Sequence, residues 1–448
     1  MSHFLSPTLS DETIDDSQYS RQSIALATFF TRSIITPRRL QTITGFLEEL
    51  PQLYLRNTGS DSPLQQIIAA CASAAYGIRN CCAIALDDAR AAYDAAIPRL
   101  LHDISLFPSS SAFESTVTSV FLCLFYEFIM CLEENRPFTN LHEKGLISLV
   151  RASQKRQYVS DSAEGRLLEA ARNHIANHCL ETGLSASDTL GDEISLLPLA
   201  GCDFPRLLTH YIIRTADFAF TSRESLSQST KSDLLRALHH AQGLDSDLKR
   251  WTDCTPVHWI FSRKKDNSWV YEYAYDGRCD VYYDLQVASA WNTYRRTRLV
   301  LLECIIRIVR SLRKLGEDDC GAYENKAISL MIDLATDVCA SVPFHLGTLS
   351  PADEDIIYPS QEDDEGDAIH RQVAPIHGWF LIVLPISRLM QTSFLPPGQY
   401  AWIVSQYHRI CDIIAHKHRI PSQDVVRIFE TAIPAFASAL PINSRHLR

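Results

Sequence analysis

Apolar residues return every three or four positions along most of the chain, the spacing that gathers them on one face of a helix. On this pattern helices are predicted over 23–35, 37–54, 64–79, 81–106, 112–134, 140–151, 163–181, 204–220, 232–248, 284–315, 323–341, 369–394, 400–416 and 422–440. Thr36 ahead of Pro37 gives one start a mechanism: the Thr hydroxyl can cap, and proline suits a first turn whose N–H would be unpaired anyway. Two stretches break the periodicity. Residues 182–202, rich in Ser, Gly and Asp, read as a linker, and the acidic run at 349–367 is too poor in apolar side chains to order itself. Within 251–284, alternating apolar positions flank Asp276–Gly277, a dipeptide suited to a tight turn, so a small hairpin and an extended loop both stay open.

The expected fold is therefore all-α, a multi-helix bundle or an irregular stack of helical hairpins with a small insertion near 251–284. A chain of 448 residues exceeds the roughly 250–300 at which one hydrophobic core stops growing, which favours two lobes. The expected divisions are a flexible leader (1–22), an N-terminal lobe (23–181), the linker (182–202), a C-terminal lobe (203–440) with its acidic loop (349–367), and a tail (441–448). Composition agrees: 46% of residues are hydrophobic, and only 16 are Gly, leaving few positions for the positive-φ turns that β-rich folds need.

Charge narrows the function. Lys and Arg number 42 against 53 Asp and Glu, a net of −11, which repels phosphate backbones. The basic runs at 263–265 and 295–298 are too local to form a nucleic-acid stripe, so direct DNA binding is not expected. Thirteen cysteines without a Cys-x-x-Cys argue for a reducing compartment and against structural zinc, since the adjacent Cys81 and Cys82 would point about 100° apart on a helix. The first residues lack a basic region and an apolar core, so secretion is not expected. The longest apolar runs, 117–132 and 377–390, fall short of the roughly 20 residues a membrane span needs and contain Glu127, Pro385 and Arg388. They read as core helices, and no membrane partner is expected.

Candidate chemistry collects at a few places. On the helix at 284–315, Trp291, Tyr294 and Arg298 follow one line, with Asn292 and Arg295 on the neighbouring line. Rings and guanidinium groups on one face suit a helix clamped by its neighbours, with Asp280 and Asp284 as carboxylate partners. A ligand site built from Trp291, Tyr294, Arg295 and Arg298 is the other reading. His210, Arg214 and Asp217 share a face one helix earlier and offer, should the protein be an enzyme, a proton donor, an oxyanion binder and a residue to orient it. His408, Asp412 and His416 recur at four-residue steps that could chelate a metal, although histidines near a helix C-terminus need no metal to be favoured there. His370, His377 and Trp379 form a similar group, with Pro375 disturbing the register. No phosphate loop, nucleophile elbow or zinc-protease helix is present, and neither a cofactor nor a metal is expected.

Several stretches, in order along the chain, resemble the fungal-specific transcription factor domain, the helical regulatory region of fungal binuclear zinc-cluster regulators. They are "FFTRSIITPRRLQTITGFLEELPQLY" with "DSPLQQIIAACA", the Ala-rich "ARAAYDAAIPRLLHDI", and "LHEKGLISLVRA" with His142, Gly145, Leu149 and Arg151. "EGRLLEAARNHIANHCL" follows, with Gly165, Arg166 and Arg172, and then "DVYYDLQVASAWNTYRRTRLVL", in which Tyr283, Asp284, Ala288, Trp291, Asn292, Tyr294, Arg295 and Arg298 match the family pattern. The resemblance implies an all-α regulatory module, nuclear or cytoplasmic, that governs fungal secondary metabolism through a small apolar effector or a protein partner. The zinc cluster that reads DNA in such regulators has no counterpart in this sequence, so action through a partner is expected. The alternative is an apolar cavity of the same fold recruited for isomerisation or cyclisation.

Overall fold

The computed structural model describes residues 21–32, 47–57, 59, 62–106, 113–153, 162–191, 204–225, 229–265, 273–317, 320–349, 356–359 and 364–432. Among these residues the fold is all-α. The N-terminal helices are α1 (Arg21–Arg32), α2 (Leu50–Arg56), α3 (Pro63–Asn80), α4 (Ala83–Ser105), α5 (Phe113–Glu134), α6 (Glu143–Ser153), α7 (Ala163–Thr182) and the short α8 (Ala186–Leu190). Then come α9 (Phe204–Ser225), α10 (Lys231–Asp253), α11 (Leu285–Lys314), α12 (Gly321–Leu346), α13 (Asp364–Met390), α14 (Pro397–His418) and α15 (Ser422–Ala432). The expected Thr36–Pro37 start, the leader, the tail and most of the linker and acidic loop lie outside the described residues.

Local chemistry sets many of the ends. Thr230 and Asp233 form a reciprocal capping box at the start of α10. The Ser162 hydroxyl accepts from Gly165 N at the start of α7, whose C-cap Gly183 takes the left-handed conformation that glycine adopts at least cost. Asp284, at the edge of the predicted helix, is the N-cap of α11: its carboxylate accepts from Val287 N at 2.8 Å.

The insertion is a hairpin, though not one closed by Asp276–Gly277 as a two-residue turn. Strand β1 (Ser262–Lys265) pairs antiparallel with β2 (Arg278–Val281), with Lys265 opposite Arg278, so the connection spans 266–277. Asp276 and Gly277 both have positive φ (53° and 64°) and form a turn immediately before β2. A second ribbon pairs β3 (Thr348–Leu349) with β4 (Ile356–Ile357), inside the stretch expected to lack order.

Buried side chains form one continuous core running from Ala25 in α1 to Phe429 in α15. Helices α5, α12 and α13 are long and apolar enough to cross a membrane, and α5 is packed inside the fold. Its Glu127 is satisfied there by Thr139 N and Leu141 N, each at 3.1 Å, and by the Thr139 hydroxyl. At the crossing of α12 and α13 the backbones nearly touch: a Cβ on Gly378 would lie 1.8 Å from the His345 carbonyl oxygen.

Candidate functional site

Helix α11 has two polar faces with different surroundings. The first carries Trp291, Tyr294, Arg295 and Arg298. Arg295 is fully buried and donates to Tyr282 Oη at 2.7 Å and Asn292 Oδ1 at 2.8 Å, with the Asp280 carboxylate at 3.3 Å. Its guanidinium also lies over the rings of Phe261, Tyr282 and Trp291. Trp291 Nε1 donates to the Trp259 carbonyl at 2.7 Å, and Arg298 grips Asp245 of α10 with two bonds of 2.6 and 3.0 Å. Asn292 donates to Ser341 on α12 at 2.9 Å. These polar groups are thus tied to α10, α12, the hairpin or the segment leading into it, and none of Trp291, Tyr294, Arg295 and Arg298 lines the large cavity described next.

The second face, Gln286, Ser289, Thr293 and Arg296, follows three- and four-residue steps on the other side of α11 and borders a cavity of about 1450 Å³. Helix α7 adds Asn173, His174, Asn177, His178 and Glu181 to the same wall. Apolar and aromatic side chains from α1, α3, α5, α13 and α15 make most of the remainder, among them Phe29, Phe125, Phe128, Trp379 and Phe380, with charged groups at Arg32, Arg79, Asp412, Lys417 and Arg419. Elements from both ends of the chain therefore border one space, and His377 Nε2, on α13, lies 2.8 Å from the Arg32 carbonyl oxygen on α1.

The polar wall is organised around neutralised charge. Arg296 lies 3.1 Å from the Glu181 carboxylate and donates to Asn177 Oδ1, and Asn177 in turn donates to Asn173 Oδ1 at 2.7 Å. Glu143 of α6, buried behind α7, has His178 Nδ1 at 3.3 Å and His174 Nε2 at 3.9 Å. Burial pushes the Glu143 carboxyl up to about 7. Burial, and then His178, takes the His174 imidazole down to about 4, and burial also lowers His178. At neutral pH the wall is therefore rich in hydrogen-bonding groups and has little net charge.

The other predicted residues are dispersed. Arg214 pairs with Asp247 of α10 at 3.0 Å, and Asp217 does not orient it: the Asp217 carboxylate accepts from Ser185 Oγ at 3.1 Å, Ser187 N at 2.9 Å and Ser187 Oγ, fixing the start of α8. Both border a hollow of about 860 Å³, whose lining does not include His210. Burial and then Arg214 lower the His210 imidazole. His408, Asp412 and His416 are all exposed on α14, and no group of three or more His, Cys, Asp or Glu among the described residues is placed to hold a metal. His370 Nε2 sits 2.9 Å from the Phe344 carbonyl oxygen and its ring stacks on Phe344, while His377 and Trp379 line the large cavity.

Residues that carry the sequence resemblance contact one another across the fold. Tyr93 Oη lies 2.6 Å from His142 Nε2, Arg166 pairs with Glu49, and Arg151 Nε donates to the Thr189 carbonyl at 2.7 Å, closing the end of α8. These are packing roles that join α4, α6, α7 and α8 whatever occupies the cavity.

The fold defines the class: an all-α, multi-helix protein with a large cavity between its helices. Among curated proteins, the chain is similar to the transcription factor dbaG of Emericella nidulans, 26% identical over 336 residues, which is 72% of this chain and 74% of that protein. The chain is thus a distant relative of a fungal transcription regulator. No family model matches the chain, and no solved structure matches it.

Proposed function

We propose that this chain is a regulatory module that senses a small apolar molecule in its central cavity and passes the occupancy of that cavity to a transcriptional partner. The observation that carries the reading is the partly open cavity of about 1450 Å³, bordered by helices from both ends of the chain and lined mainly by apolar side chains. A ligand bound there touches α1, α3, α5, α7, α11, α13 and α14 at once, so a change in their packing alters its affinity and binding favours one packing over another. The relative's printed role as a transcription factor supports action on gene expression and a nuclear place of work, in secondary metabolism on the strength of the sequence resemblance.

The test exposes the purified protein to an apolar small-molecule extract, repurifies it and identifies the retained compounds by mass spectrometry. The expected result is a retained compound, chemically unchanged, that raises Tm for the parent and not for Ala75→Trp, which fills the cavity from α3. New products formed at the cavity would replace this reading with the catalytic one.

A further inference from the structure

The polar wall limits what the cavity can hold. Arg296 donates to Asn177 through one nitrogen and Glu181 lies 3.1 Å from its Nε, so the guanidinium charge is balanced by protein while its Nε and Nη1 make no hydrogen bond. In front of them stand groups without hydrogen-bond partners among the described residues: the Asn173 side-chain N–H groups, the His174 imidazole, and the Ser289 and Thr293 hydroxyls. The His174 side chain is 43% exposed and its ring edge meets Phe121 of the cavity wall, so its open surface faces this space. Across the cavity Phe380 is 50% exposed and Leu384 36%, an apolar surface on α13. The basic groups that reach the space away from this wall, Arg32, Arg79, Lys417 and Arg419, belong to α1, α3, α14 and the C-cap of α14, and the Lys417 ammonium donates to the Pro375 carbonyl.

We infer that the cavity selects an uncharged, mainly apolar ring compound with carbonyl or phenol oxygens along one edge, its rings against the α5 and α13 aromatics and its oxygens on Asn173, His174, Ser289 and Thr293. This rests on the reading of the cavity as an effector site and adds the chemistry of the effector. An uncharged oxygen replaces water on amide, imidazole and hydroxyl groups without a charge to desolvate, whereas a carboxylate meets on this wall only the Arg296 guanidinium, whose charge Glu181 already balances.

Fluorene, 9-fluorenone and fluorene-9-carboxylate make the test, since they share one tricyclic body and differ in the oxygen. Their Kd values are measured by quenching of intrinsic fluorescence and confirmed by calorimetry, on the parent and on the double variant Asn173→Leu/His174→Leu. Both substituted side chains project into the space, and the melting curve checks folding. The expected order is fluorenone first, tighter than fluorene by about fivefold to tenfold, the scale of one uncharged hydrogen bond, with the carboxylate weakest. The double variant should keep its fluorene affinity and lose the preference for fluorenone. Equal affinity for fluorene and fluorenone, or tightest binding of the carboxylate through the basic groups Arg32, Arg79, Lys417 and Arg419, overturns the inference and leaves the cavity as an effector site. If the double variant preserves the fluorenone preference, the polar wall is not the recognising surface. If none of the three binds the parent, the effector-site reading falls together with this one.

Discussion

Replacing Arg295 by Met tests whether the charged face of α11 is a structural clamp. The guanidinium is buried, and Asp280, its carboxylate partner, is 0% exposed. Without it, Tyr282 Oη loses the donor it has at 2.7 Å, Asn292 Oδ1 keeps only Ser341 Oγ at 3.3 Å, and Asp280 keeps only Arg263 at 3.1 Å. Arg263 is 47% exposed, so water screens much of its attraction. Breaking a buried pair in this way costs about 3–5 kcal/mol, a Tm fall of roughly 5–10 °C for a chain of this size. The pH dependence carries a sign. Burial already raises the Asp280 carboxyl above its ordinary value against the pull of Arg295 and Arg263, and removing Arg295 raises it further. A carboxyl whose folded pKa exceeds its unfolded value holds its proton more tightly in the native state. The variant should therefore recover stability as pH falls towards the unfolded carboxylate range and lose it as pH rises through the folded pKa. Melting curves of parent, Arg295→Met and Arg295→Met/Asp280→Asn at about pH 5 and about pH 8 are the assay. A Tm within about 2 °C of the parent, or a deficit equal at both pH values, would refute the clamp as a buried ion pair.

Trp291→Ala should lose about 3–5 kcal/mol by denaturant titration while the folded fraction retains its affinity for a cavity ligand, because Trp291 does not line the cavity; loss of binding with parental stability would reverse the assignment. Gly378→Ala should melt well below the parent, since the new methyl would sit 1.8 Å from the His345 carbonyl oxygen and α12 and α13 would have to separate; a parental Tm contradicts that crossing. Glu143→Gln should raise Tm more at about pH 8 than at about pH 5, because a carboxyl pushed up to about 7 loses native stability as pH rises through that value; a uniform effect would show that the Glu143 charge is compensated.

The helical class was legible because each helix needs only a repeated apolar spacing, and that spacing survives in most of the chain. The clamp was legible in part: of the two carboxylates expected to serve the arginines of α11, Asp280 pairs with Arg295, whereas Asp284 caps the helix and Arg298 takes Asp245 from α10. The hairpin turn was misplaced because a positive-φ dipeptide marks a turn without saying which strand closes across it. Asp217 was read as the partner of Arg214 from helical spacing alone, but a carboxylate goes to the strongest unpaired donors within reach, here the start of α8, and those are fixed by packing.

The cavity was the part the sequence concealed, for a physical reason. Its polar wall comes from two helices more than a hundred residues apart, meeting at Asn177 and Arg296. Taken separately, Asn173, His174, Asn177 and His178 look like the solvated side of α7, and Ser289 and Thr293 look like tolerated small residues on α11. Only their convergence distinguishes a cavity wall from an outer surface. A weak signal was present: Gln286, Ser289, Thr293 and Arg296 repeat at helical spacing on a helix whose charged residues were already needed on the other side. A helix polar on two faces within an apolar core has to satisfy two sets of partners. On α11 the protein supplies one set, through Asp245, Asp280, Ser341 and the Trp259 carbonyl. On the cavity face Arg296 and Gln286 have protein partners, and the Ser289 and Thr293 hydroxyls have none among the described residues. One rigid helix thus joins the hairpin and α12 on one side to the cavity contents on the other. Under the proposed function, an effector on Ser289 and Thr293 would be coupled to the rest of the fold through the α11 backbone, with the clamp keeping that helix in register.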